Sequence, residues 1–519
     1  MSQANEHSQH GESYKWFALV AIVIGTFAAV LNSSLLNVAL PSLVSVFGST
    51  TQTMQWVLTG YMLASAVVIP MSGFLGDRFG YKKILIISLA GFTAGSLLCG
   101  FAWSEESIIA FRVIQGIAGG LIMPIGMSMI YMIIPRQQIG MALGIWGIAS
   151  MSAPAIGPTL SGYIIEIFNW RMLFFMTVPI GILAVFMCMI LLRETPVKKE
   201  ATFDKVGAIF SVIAFGSILL ALSKGQQEGW TSLFIVSLFF IGIFSLALLI
   251  WVETGQEQPL MDLRMFKIPA FSLSVITSSL VTMGMYGGIF LTPIYLQNIQ
   301  GLTPVDTGLV LMPQSIAMAL MMPISGRLFD KFGVIPLGLV GLTLIGVTTY
   351  ELHLLEIDTP NHWLDTVLTI RGIGIGLSMM PLSTVGMNAV PRHLVGRASS
   401  LSNVIRQVLG SLAIAIFTAI MTQRGTWHGS QIAENVQVTS DMANQTLKMI
   451  TGAYTQGGVD TGTATAAAYQ VLGGVIQKEA LVRSIGDTFL VSSIPIFICI
   501  PLIFLFLRKK KAEAPVSKS

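Results

Sequence analysis

GFLGDRFG at residues 73–80 returns as GRLFDKFG at residues 326–333. Each copy sets a glycine, an acid, a base and a closing glycine between two long apolar runs, and residues farther along the chain repeat in the same order. Arg112, Met-Pro at 123–124, Pro-Arg at 135–136 and Gly140 are matched by Arg371, Met-Pro at 380–381, Pro-Arg at 391–392 and Gly396. Self-similarity of this kind means a repeated structural unit. The spacing between copies exceeds what six helices need, leaving room for two more. The expected division is therefore a six-helix bundle at 1–200, a two-helix insert at 201–255, and a second six-helix bundle at 256–519 that carries an outer connection at 421–484.

Composition says what surrounds these units. Hydrophobic residues make up 53% of the 519 and charged residues only 10%, against roughly 25% charged in a soluble domain. Fourteen apolar runs, from 16–38 to 485–507, are each about long enough to cross a ~30 Å hydrocarbon layer as a helix. The expected class is an all-α integral membrane protein with the lipid bilayer as its environment. The first 15 residues are polar and lead straight into an apolar run with no short signal-peptide core or cleavage site, so none is expected. Fourteen crossings put both termini on one side. If that side is cytoplasmic, Arg78, Lys82, Lys83, Lys198, Lys199 and the basic run 508–511 lie inside, and only Arg171 and Lys224 flank short outer connections, as the positive-inside rule requires. The net charge of +4 is thus a matter of topology, and no nucleic-acid partner is implied.

The repeated turn has a mechanical reading. Gly73 and Gly80, like Gly326 and Gly333, let helix ends approach closely, while Asp77 with Arg78 and Asp330 with Lys331 can pair across the bundle junction and hold one state closed. Two halves around a midplane cavity, rocking against each other, form a transporter plan. A plain cytoplasmic anchor would explain the bases but not the repeated glycines and acids.

Charge inside the membrane is sparse. No Asp, Glu or His falls in the middle of a run; His7, His10, His353, His362, His393 and His428 lie in tails or connections, and Asp306, Glu351, Asp365 and Asp487 lie near span ends. Asp306 completes the helix-start pattern TPVD. Arg112, Arg371 and Arg406 are inside, and an intramembrane arginine is a functional candidate by default, with snorkelling or structural hydrogen bonding as the alternative. Counting at 1.5 Å per residue puts Asn32 about 9 Å and Arg112 about 6 Å below the outer ends of their helices, in nearly one layer. Candidate cavity residues are Asn37, Met123, Met127, Trp146, Met151, Tyr286, Gln314, Asn403 and Gln407, with Gln115 beside Arg112: thioethers and aromatic rings adapt to many apolar shapes, and amides in hydrocarbon need partners. Packing and helix-to-helix bonding are the plainer roles for each. Cys99, Cys188 and Cys499 lie in separate apolar runs and read as free. RGIGIGL at 371–377 has no strand before it and reads as helix packing. No metal-ligand spacing, nucleophile elbow, acid pair or P-loop occurs, so neither a cofactor nor enzymatic chemistry is expected.

These features carry a family resemblance. GFLGDRFGYKK resembles the cytoplasmic signature of the major facilitator superfamily, with Tyr81 where an arginine is usual, and RVIQG at 112–116 resembles its fourth-helix motif. Gly144, Ala153, Gly157, Pro158, Ser161 and Gly162 resemble the fifth-helix antiporter motif, with Ala153 and Ser161 in place of two glycines. Fourteen spans, LNSSLLNVALP at 31–41, NWRMLFFMTVPIG at 169–181 and TWHGSQIAE at 426–434 together resemble the EmrB/QacA-type multidrug exporters. The resemblance implies a proton-driven exporter of amphipathic compounds in a bacterial cytoplasmic membrane, residue 32 in its cavity, protons as co-substrate, and a periplasmic adaptor protein as a candidate partner of the outer loop. It also exposes a departure: the first-helix motif usually carries aspartate where this chain has Asn32. Three accounts stay open. Coupling can rest on an end-of-span acid; transport can follow a substrate or charge gradient, as for a lipid or metabolite carrier; or Asn32 can trap one state. Arginines without carboxylates at the centre favour neutral or anionic amphiphiles over cations. The other classes are a nontransporting sensor or scaffold on the same fold and a membrane-embedded enzyme, for which no reactive cluster is present.

Overall fold

A computed structural model describes residues 2–198, 200, 202–435 and 441–509. Fourteen long helices follow one another: α1 (Ser2–Phe47), α2 (Thr51–Phe79), α3 (Tyr81–Gly100), α4 (Glu105–Ile133), α5 (Ile139–Ile167), α6 (Arg171–Leu191), α7 (Lys205–Glu228), α8 (Leu233–Gly255), α9 (Pro269–Asn298), α10 (Pro304–Phe332), α11 (Val334–Glu351), α12 (Asn361–Asn388), α13 (Val395–Asn435) and α14 (Thr461–Ile503). Among the described residues, thirteen are long and apolar enough to cross a membrane. The fourteenth is α5, whose 29 residues match its neighbours in length. There is no strand among the described residues, as hydrocarbon demands of a chain that satisfies its own backbone helix by helix.

Local chemistry starts these helices where the sequence expects. Ser104 and Ser107 close a capping box on α4. Thr303 accepts from Asp306 N at 3.1 Å and donates to Asp306 Oδ2 at 2.7 Å, so Asp306 starts α10. Asp204 and Ser232 cap α7 and α8. Pro70 sits in a tight turn at Ile69–Met71 that breaks α2, because proline removes a donor and crowds the preceding turn.

The halves meet along two seams. On one, α5 packs on α10 so closely that a Cβ on Gly326 would lie 2.1 Å from Gly140 O and one on Gly144 would lie 2.6 Å from Met322 O; only glycine permits that backbone approach. On the other, α13 reaches the first half with consecutive serines. Ser399 Oγ donates to Pro124 O at 3.1 Å and Ser400 Oγ to Ile69 O, at the α2 break, at 2.7 Å. Interhelical bonds of this kind contribute roughly 0.6 kcal/mol each in a membrane. The insert helices α7 and α8 pack on each other, and α7 also touches α2 and α13.

The outer connection differs most from the polar loop expected at 421–484. There α13 runs on to Asn435, a separate helix covers Asp441–Gln456, and α14 begins at Thr461 behind an Asp460 cap. The 41 residues of α13 span about 60 Å, twice a ~30 Å hydrocarbon core. Its outer part is polar because water surrounds it, which makes it look like loop to a hydropathy count. Where α13 and α14 leave the bundle, Asp487 accepts from Arg424 Nε at 2.5 Å and lies 2.7 Å from His428 Nε2.

Candidate functional site

Three groups of candidate residues stand out: a buried arginine inside each half, a central arginine between the halves, and a charged cluster at the cytoplasmic face. In the first half α1 and α4 bring Asn32 and Arg112 together, both buried. Arg112 Nη1 donates to Asn32 Oδ1 at 2.8 Å and to Gln115 Oε1 at 2.7 Å, and Nε donates to Val57 O of α2 at 2.9 Å. The guanidinium also lies over the Tyr61 ring, 4.1 Å from its centroid. The Asn32 amide nitrogen points the other way, donating to Thr177 Oγ1 at 3.3 Å and Ser96 Oγ at 3.4 Å. Every face of residue 32 is therefore bonded. The Ser96 and Thr177 hydroxyls lie 2.7 Å apart and donate to Phe174 O at 3.1 and 2.8 Å. With asparagine, Arg112 keeps its acceptor at every pH.

The second half uses its repeat-related arginine differently. Arg371 is fully buried; its Nε donates to Thr349 Oγ1 at 3.1 Å, and Nη2 donates to Gly284 O at 3.0 Å and Met285 O at 3.4 Å. A Cβ on Gly288 would sit 2.0 Å from its Nη1, so α9 is notched to admit the guanidinium. Arg371 locks α12 to the backbone of α9 rather than lining a path.

Arg406 on α13 faces the space between the halves. It is partly buried; Nη2 donates to Asn403 Oδ1 at 3.0 Å and lies 3.9 Å from Met127 Sδ of α4. No carboxylate pairs with it among the described residues. Tyr286 on α9 packs against Gly410 one turn farther along α13. Trp146 donates from Nε1 to Thr26 Oγ1 of α1 at 3.1 Å, so this indole ties α5 to α1. Met123, Gln314 and Gln407 are partly buried, and Gln115 belongs to the Arg112 network. The side chains of Asn37, Met151 and Pro158 lie outside the described residues. Of the other fifth-helix glycines, Gly157 faces Ser34 of α1 and Gly162 faces Val305 of α10.

At the cytoplasmic face Asp77 collects partners from three elements. It accepts from Tyr81 Oη at 3.1 Å and from Lys198 Nζ at 2.8 Å, and Arg397 Nε of α13 lies 3.9 Å away. Lys198 belongs to the connection after α6; it also donates from N to Asp77 O at 2.7 Å and from Nζ to His393 O of the second half at 3.0 Å. Gly73 packs against the Arg397 backbone. Gly80 adopts φ +93°, and a Cβ there would sit 2.3 Å from Glu194 Oε1, the oxygen that accepts from Lys82 N at 3.2 Å and Thr195 N at 3.0 Å. Tyr81 does by hydrogen bond what a base at its position would do by charge. In the second copy Asp330 lies near Gly140, no ion pair reaches it among the described residues, and Lys331 lies over the Phe332 ring. Sequence reading missed Lys198 and Arg397 as gate residues. Arg397 comes directly after the repeated Gly396 and was findable; Lys198 sits in a basic connection with nothing to mark it.

Comparison with known proteins places this geometry. Residues 22–414 match the family model described as Major Facilitator Superfamily. The uncharacterized MFS-type transporter YhcA of Bacillus subtilis is 41% identical over 80% of this chain and 78% of its own length. The multidrug export protein EmrB of Escherichia coli is 31% identical over 83% and 85%, and the fatty acid resistance protein FarB of Neisseria gonorrhoeae 27% over 95% and 96%. Among solved structures, the human organic anion transporter MFSD10 is similar in fold, with a TM-score of 0.59 at 14% identity over 94% of this chain and 99% of its own. Repeated turns, repeat-related arginines, fourteen long helices and these matches agree: the chain is a multi-pass membrane protein belonging to the major facilitator superfamily, in its EmrB/QacA-type branch.

Proposed function

We propose that the protein is a secondary active exporter in a bacterial cytoplasmic membrane, moving neutral or anionic amphiphiles by alternating access. The observation that carries this reading is Arg406, a cation between the halves whose neighbours are an amide, a thioether and tyrosine rings rather than a carboxylate. Such a site favours an anionic or dipolar headgroup, and the Met127 thioether beside it adapts to varied apolar bodies. The printed names of EmrB and FarB, a multidrug exporter and a fatty acid resistance protein, support export of such compounds. The protruding ends of α13 and α14 are the surface that an adaptor would meet.

Proton antiport is the drive expected of the family, and here it has to run through acids other than residue 32. Asn32 holds Arg112 as a permanently protonated aspartate would. A proton-independent carrier is the second reading, favoured by the same residue.

The test is a transport panel in proteoliposomes with organic anions, neutral amphiphiles and dications, run with and without a pH gradient. Anions and neutral compounds are expected to be exported, with rates falling at least about tenfold in Arg406→Gln, the scale of one lost charge-assisted bond. Export of dications in preference to anions overturns the substrate reading. A protein that moves nothing is the sensor or scaffold.

A further inference from the structure

At the cytoplasmic ends of α7 and α8 two acids are buried together, Asp204 at 8% exposure and Glu253 at 1%. Each commits one oxygen to the backbone. Asp204 Oδ1 accepts from Gly207 N at 2.8 Å, and Glu253 Oε2 accepts from Met261 N at 3.1 Å. Their other oxygens, Asp204 Oδ2 and Glu253 Oε1, have no hydrogen-bond partner among the described residues. Both aim at one place: a Cβ on Gly207 would lie 2.5 Å from Asp204 Oδ2 and 2.8 Å from Glu253 Oε1. Glycine at 207 is what lets the two carboxyls converge.

An ionised carboxylate only accepts hydrogen bonds. Two such oxygens facing each other away from water repel and leave both unsatisfied, whereas a single proton turns one into a donor and satisfies the pair. No group of three or more metal-ligating side chains occurs among the described residues, so the ligand that fits is the proton. Lys205 follows Asp204 directly at the start of α7, and Arg397 of α13 lies 3.9 Å from Asp77. In the segment after α8, Asp262 Oδ1 accepts from Arg264 N at 3.1 Å, and Arg264 Nη2 donates to Gln256 O at 2.9 Å, so both are engaged within that segment.

We propose that Asp204 and Glu253 form one proton-binding site, holding a proton between Oδ2 and Oε1. With the proton the pair carries one negative charge; when the proton leaves for the cytoplasm the pair carries two. A chain without an acid in the middle of any span would thereby bind a cytoplasmic proton where its insert helices α7 and α8 meet. The inference concerns that pair alone and holds whatever compound is carried.

The experiment uses the full-length protein in lipid nanodiscs. Infrared difference spectra across a pH titration are expected to show a protonated-carboxyl band that is lost in Glu253→Gln and in Asp204→Asn; Asn keeps the capping oxygen at 204, so one variant folds if the other does not. A titrating band unchanged in both variants overturns the shared proton. A band lost in only one of two folded variants places the proton on that residue alone and likewise overturns the shared site.

Discussion

The two halves carry the same residues at repeat-related places and hold them by different means. In the first half Asp77 is tied by Tyr81 of α3 and Lys198 of the connection after α6, and Arg112 by Asn32 of α1, Gln115 of its own helix and the Val57 carbonyl of α2. Asp330 lies against the helix backbone at Gly140 without an ion pair among the described residues, and Arg371 is bonded to the backbone of α9 and one threonine. A backbone carbonyl is fixed in its helix, whereas a side-chain partner can be displaced or moved with its helix. The contacts of the first half are therefore the more readily exchanged, even though both halves share one six-helix plan.

That contrast can be broken most directly at the turns. Asp77→Asn is expected to lower export in proteoliposomes at least about tenfold, since bonds to charged groups contribute roughly 1.5–3 kcal/mol each. Asp330→Asn should change it less than about twofold, and equal losses would erase the difference between the copies. The arginines give the next largest effect. Asn32→Asp places a titratable acid against Arg112 and is expected to make export several-fold more dependent on a pH gradient, because protonation would break the new pair; Thr349→Val beside Arg371 should leave the pH response as it was. An unchanged response in Asn32→Asp removes residue 32 from any account of coupling.

Smaller effects sharpen the comparison. Gly80 and Gly333 both have positive φ, +93° and +80°, a strain of about 1–3 kcal/mol for any other residue. Only at Gly80 would a Cβ also strike a neighbour, the Glu194 carboxylate, with nothing within 4 Å at Gly333. Thermal unfolding in detergent should therefore drop further for Gly80→Ala than for Gly333→Ala. Tyr81→Phe removes one hydroxyl bond to the Asp77 carboxylate, about 1.5 kcal/mol at the low end for a bond to a charged group, and should shift the population of the open cytoplasmic gate by about tenfold in label-distance measurements.

Much of this was legible in the residues. The repeated turn and the apolar runs carry the fold, and counting residues into α1 and α4 placed Asn32 and Arg112 in one layer because helical rise is fixed. What the sequence hid was long-range or looked ordinary. Lys198 meets Asp77 across 121 positions, and its basic surroundings read as a topological signal. Asp204 and Glu253 each sit at the end of an apolar run, where an acid reads as a cap; only folding shows that their free oxygens face each other. The extended ends of α13 and α14 escaped because a helix in water needs no apolar periodicity.

The continuity of α13 has a mechanical consequence. Its cytoplasmic end carries Arg397, Ser399 and Ser400 at the gate, and the same rod ends at Asn435 far outside, with no proline between. A rigid helix turns rotation at one end into travel at the other: a tilt of about 10° over the roughly 57 Å from gate to tip would swing that tip by about 10 Å. The outer tip is thus a pointer geared to a latch on the opposite side of the membrane, and a probe that never enters the cell could watch the inner door move.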